Sequence, residues 1–142
     1  MGVAPAWTER WRVVAPAGAV RVDVDLRGRP AGAARPGLAP GTPVALCASG
    51  LVARRRVRRA ASRAGIQVDR EYVALPSAAS PAFLVEDGTA ALDYFRTRIV
   101  AAPPGMTTLA GVAEVAIRAL RVLPVAVLSA LAPGRVAIGR QA

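Results

Sequence analysis

The sequence predicts one small α/β domain, and three observations lead to that fold class. A continuous apolar run, "VALCAS" at 44–49, precedes a segment of helical periodicity at 51–64. A second apolar stretch follows at 66–75, so strand, crossover helix and strand form a βαβ unit. The third observation is size. A chain of 142 residues has room for one core and not for two, and 54% hydrophobic residues exclude disorder over the whole chain. The domain is therefore expected to span 1–142.

The elements follow in order. "VRVDVDLRGR" at 20–29 alternates, with Val20, Val22, Val24 and Leu26 on one side and Arg21, Asp23, Asp25 and Arg27 on the other. Period two with one polar face predicts a half-buried strand, at an edge or in an antiparallel pair. "RWRVVAP" at 10–16 is its candidate hairpin partner. The Pro/Gly-rich stretch at 28–43 predicts a loop. Strand 44–49, apolar throughout, suits burial on both faces, as in a parallel sheet. Ser49 is the expected N-cap of the helix at 51–64.

That helix has a readable wheel. Ala53, Val57, Ala60 and Ala64 share one face, with Ala61 beside it. Arg55, Arg58, Arg59 and Ser62 lie opposite; Arg54, Arg56 and Arg63 flank the seam, where their stems cover apolar surface. Gly65 suits the left-handed position that ends a helix. Strand 66–75 follows. After a loop with a short extended piece, "AFLVE", a helix is expected over 89–100 with Leu92, Phe95 and Ile99 buried. The C-terminal part reads as helical. An apolar segment spans 106–132, with a helix expected at 108–122 and a stop or kink at Pro124. "GRVAIGR" at 134–140 reads as a last strand.

Absences narrow the chemistry. No histidine means no histidine general base, no Ser-His-Asp triad and no histidine metal ligand. A single cysteine, Cys47, excludes an intramolecular disulfide and a multi-cysteine zinc site, and no metal is expected. In its apolar run Cys47 reads as a buried, inert thiol. The charged N-terminus has no secretory signal pattern, and no apolar stretch is long enough to span a membrane. A cytoplasmic protein, able to sit at a membrane periphery, is expected.

The net charge is +10, and all the basic residues are arginine. Selected binding to a polyanion and a GC-rich coding bias both account for this. The candidate anion site is the start of the 51–64 helix. Ser49 and Gly50 form the turn, and Arg54, Arg55, Arg58 and Arg59 supply charge. Plain capping and a solvated arginine face are the alternatives. The carboxylates Asp69 and Glu71, and Glu86 and Asp87, suit acid–base work or ion pairs with arginines. Segment 106–132 suits a membrane interface, a partner chain, or this domain's own sheet.

The stretch "RRRVRRAASRAGIQVDREYVALPSAASPAFLVED" at 54–87 resembles the C-terminal portion of class I S-adenosylmethionine-dependent methyltransferase-like proteins. The matching residues are Arg54 to Ala64, Gly65, Ile66 to Leu75, Pro76 and Pro81 to Val85, within 44–100. That family binds its cofactor with a glycine-rich loop after the first strand and an acidic residue ending the second. Neither occurs before residue 44, so no catalytic or cofactor-binding residue carries over. The resemblance thus implies a truncated or degenerate member without catalysis. It would hold S-adenosylmethionine only if a partner chain supplied the loop. Three functional classes stand open: a methyltransferase-like remnant, an anion or nucleic-acid module, and a membrane-peripheral or scaffold protein.

Overall fold

The computed structural model describes residues 7–31, 37–75, 77–79, 81, 83–99, 119 and 122–142. The α/β class is as the sequence predicts. A 3-10 helix at Trp7–Val13 leads into β1 (Val20–Asp23) and β2 (Pro43–Ser49). Then come α1 (Ala53–Ala64), β3 (Ile66–Leu75), β4 (Phe83–Glu86) and α2 (Thr89–Tyr94), which runs on into a π turn at Phe95–Ile99. After α3 (Val125–Leu131), β5 (Gly134–Gln141) ends the fold. The strands form one mixed sheet in the order β1-β2-β5-β3-β4.

The βαβ unit forms, but it is split. β2 and β3 do not pair with each other; both pair antiparallel with β5, which lies between them. The crossover leaves a gap one strand wide, and the "GRVAIGR" stretch fills it. Its residues 134–139 are all buried. β1 pairs in parallel with β2, and β4 pairs antiparallel with β3, so the sheet is mixed and not simply parallel.

The sheet separates two apolar layers. On one face Val22, Val44, Leu46, Ala48 and Ala137 meet Ala53, Val57, Ala60 and Ala61 of α1. Small residues let the helix lie close to the strands. Full burial of a side chain such as Val57 or Leu46 contributes about 1.5–3 kcal/mol. Farther along, Val73, Leu75 and Val85 pack on Leu92 of α2 and on Val125 and Ala132 at the ends of α3. On the opposite face Ala45, Cys47, Ala74, Val136 and Ile138 are covered by Trp11 and by Val14, Ala15 and Ala19.

Three expectations need correction. The segment 10–16 is not a hairpin partner of the first strand. β1 stands at the sheet edge, paired with β2, and residues Trp7–Val13 form a 3-10 helix that lays Trp11 over the open face of the sheet. The first strand is also shorter than 20–29. Oδ1 of Asp25 accepts the backbone N–H groups of Arg27 and Arg29, at 2.9 and 2.8 Å, and turns the chain. Gly28 (φ 71°) completes the turn, and any Cβ there would meet Arg59 Cδ at 3.1 Å. Third, α1 begins at Ala53, and its N-cap is Val52, not Ser49. The last strand read at 134–140 is present as β5, after the short helix α3. Most of the helix expected at 108–122 lies outside the described residues.

Candidate functional site

β1 and β2 run side by side and in parallel, so their carboxyl ends open together. In open α/β sheets that end is where ligands are bound. A cleft of about 380 Å³ lies there, lined by Arg21, Asp23, Asp25, Cys47, Ser49 and Arg56 together with Val24, Leu26, Ala78 and Ala79. Strand alternation accounts for four of these residues. Val22 and Leu46 turn to the α1 side, so Arg21, Asp23, Cys47 and Ser49 line the other.

Arg56 enters from the first turn of α1 and is only 5% exposed. Its guanidinium donates to the carbonyl oxygens of Ser49 and, at 3.3 Å, Asp25. Its Nε has no hydrogen-bond partner. Among the described residues no carboxylate pairs with it, so a buried positive charge is held by dipoles alone. Such a charge favours an incoming anion. Neither of the two carboxylates nearby, Asp23 and Asp25, pairs with Arg56; each already has partners at its Oδ1. Asp23 holds Arg21 at 2.9 Å. The backbone N–H of Arg29, and then that of Arg27, keep the Asp25 carboxyl below its ordinary range.

The residues expected to bind an anion are dispersed. The Ser49 hydroxyl accepts from the backbone N–H groups of Ala78 and Ala79, at 3.0 and 3.2 Å, and so fastens the loop after β3. Gly50 N–H donates to the Pro133 carbonyl at 2.6 Å. Arg58 pairs with Glu71 at 2.9 Å. Arg54 is partly buried, with its Nε unpaired. Arg55 and Arg59 are exposed, and among the described residues neither forms an ion pair. Arg63 donates to the carbonyls of Arg27 and Gly28, each at 3.3 Å. The arginine helix is thus partly a set of struts to the β1–β2 connection. Its one buried guanidinium, Arg56, belongs to the cleft.

A second charged cluster centres on Arg135, which is fully buried. Its Nη1 donates to Glu71 at 2.8 Å and to Asp87 at 2.6 Å. Its Nη2 donates to the carbonyl and hydroxyl oxygens of Ser129, at 2.7 and 3.0 Å, and the Ser129 hydroxyl donates to Asp87 at 2.7 Å. Burial pushes the Asp87 carboxyl up; the Ser129 and Arg135 hydrogen bonds, and the charges of Arg135 and Arg54, outweigh it and hold the pKa below the ordinary value. The carboxylates singled out in sequence therefore do meet, but as Glu71 with Asp87. Asp69 faces solvent opposite Arg140, 3.7 Å away. The cluster joins β3, β5 and α3 and extends to Arg58 through Glu71; the Arg135 Nε makes no hydrogen bond within it.

Cys47 is buried, and burial pushes its thiol up to about 12 from an ordinary 9.0. It lines the cleft as a neutral group, not as a nucleophile. Only the unfolded chain ionises near pH 9. The stabilising effect is full below that pH and lost as pH rises towards 12. The denaturation midpoint is expected to fall across this window, and Cys47→Ala should flatten that fall. An unchanged slope in the variant would mean the thiol is hydrated.

Among the described residues there is no group of three or more Cys, Asp or Glu side chains placed to hold a metal. Among the same residues no helix is long and apolar enough to cross a membrane. Of segment 106–132, only 119 and 122–132 are described. There α3 helps to enclose an apolar cavity of about 200 Å³, lined in part by Val73, Leu92, Phe95 and Leu128. No family model, curated protein or solved structure matches the chain.

Proposed function

We propose that the protein is a binding module for small anionic ligands, and that its site is the cleft at the carboxyl ends of β1 and β2. One observation carries this reading: Arg56 is buried against the cleft and neutralised by no carboxylate among the described residues. The anion module read from the sequence keeps its chemistry and Ser49, but its charge comes from Arg56 and not from Arg54, Arg55, Arg58 and Arg59. A volume near 380 Å³ is at the small end of the range for ligand sites, which favours a metabolite-sized anion over a polymer.

The test is calorimetric titration with inorganic phosphate and with small carboxylates, at two salt concentrations. Binding is expected to weaken by more than about tenfold in Arg56→Gln. In a double variant, Arg55→Glu with Arg59→Glu, it is expected to stay within about twofold, because these side chains face solvent. Arg21→Gln serves as a second probe should the Arg56 variant melt early. The opposite pattern would move the site to the helix surface and restore a polyanion reading.

A second reading is that of a non-catalytic methyltransferase-like domain. It draws on element order: α1, the Gly65 turn, β3, a loop and β4 follow one another over 53–86. Binding of S-adenosylmethionine by the chain alone, without a partner, would favour an enzyme over that reading.

A further inference from the structure

We infer that the cleft takes a small zwitterion, a compound with an ammonium group a few bonds from its carboxylate or phosphate. This rests on the anion-binding reading and adds the other half of the ligand. The same cavity that has Arg56 in its wall also has the carboxylates of Asp23 and Asp25. Each uses only Oδ1: that of Asp23 receives Arg21 Nε at 3.0 Å, and that of Asp25 receives two backbone N–H groups. Among the described residues, Oδ2 of each makes no hydrogen bond. Asp25 stays ionised, since the backbone N–H of Arg29 and then that of Arg27 favour its charged form.

Opposite charges on the wall of one small cavity suit a ligand that carries both. A simple anion would meet Arg56 and Arg21 but would also face two carboxylates, only one of which, Asp23, is paired with Arg21; an ammonium group turns that repulsion into charge-assisted hydrogen bonds. Val24, Cys47, Ala78 and Leu26 supply apolar wall for a short carbon chain between the two charged ends. Cys47 stays a neutral thiol and adds no competing charge.

The test titrates the full chain with β-alanine and phosphoethanolamine against propionate and ethyl phosphate, which match them but lack the amine. The zwitterions are expected to bind about tenfold tighter. In Asp23→Asn with Asp25→Asn that advantage should shrink below about threefold, while the simple anions bind at least as well as before. Asparagine keeps the Oδ1 acceptor that holds the loop, and each single variant is read in the same way. Equal binding of propionate and β-alanine would overturn the zwitterion and leave the anion cleft standing. No binding of any of the four would overturn both. A preference that survived both asparagines would overturn the assignment to these carboxylates.

Discussion

Arg135→Met is expected to cost roughly 3–5 kcal/mol of stability, read from the denaturant midpoint at neutral pH. The side chain is fully buried, and its guanidinium joins Glu71, Asp87 and Ser129. Methionine fills much of the volume but leaves two carboxylates confronting each other in a site largely closed to water. Arg58 still touches Glu71 and the Ser129 hydroxyl still touches Asp87, which sets the lower end of the range. The pH response gives a second reading. The Asp87 carboxyl is held below its ordinary 3.8 in the folded chain, so the wild type loses this contribution as pH falls through that region. In the variant the sign reverses, because protonation relieves the repulsion, and the gap between the two proteins should narrow in acid. Adding Glu71→Gln and Asp87→Asn to the variant should recover part of the loss. A cost under about 1 kcal/mol would show that water reaches the cluster.

Gly139→Ala is the second large effect. Gly139 sits in β5 opposite Val68, beside the irregularity between Val68 and Arg70. A Cβ there would lie 2.2 Å from the Gln67 carbonyl oxygen and 3.0 Å from Val68 Cα. Both are main-chain atoms, so no side chain can swing aside, and the β3–β5 ladder has to part. Overpacking usually costs about 1–3 kcal/mol, and a forced separation of central strands belongs above that range. The expected result is a low and broad thermal transition. Gly88→Ala is the control. Nothing lies within 4 Å of the corresponding Cβ, and its backbone is extended, so the midpoint should barely move.

The parts of the fold legible in the sequence are those set by local periodicity. The apolar run at 44–48, the wheel of Ala53, Val57 and Ala60, and the left-handed Gly65 all appear as read. What was hidden depends on distant partners. Nothing near Arg135 marks it as buried, because Glu71 and Asp87 lie 64 and 48 residues away. That Asp69 and Glu71, two apart on one strand, end in different surroundings has a local reason that no periodicity carries. The irregularity between Val68 and Arg70 changes the phase of β3, turning Glu71 inward and leaving Asp69 at the surface. Ser49 suits a cap by residue type. Val52 occupies the cap position in a left-handed conformation (φ 52°), which is uncommon for a β-branched residue. The wheel puts Arg56 at the seam of the helix, but its reach to Ser49 and Asp25 depends on the parallel pairing of β1 with β2.

The position of β5 has a consequence for how the fold is reached. The strand at the middle of the sheet is the last element in chain order. Until 134–141 is in place, β2 and β3 both present bare inner edges, and neither can complete its pairing. Closure is thus a late event that joins segments far apart in sequence, the kind of topology that folds slowly. During synthesis the partly made chain carries two unpaired, apolar strand borders, which invite association with other chains. The yield of folded protein should therefore depend on how fast the final segment is delivered, even where the finished domain is stable.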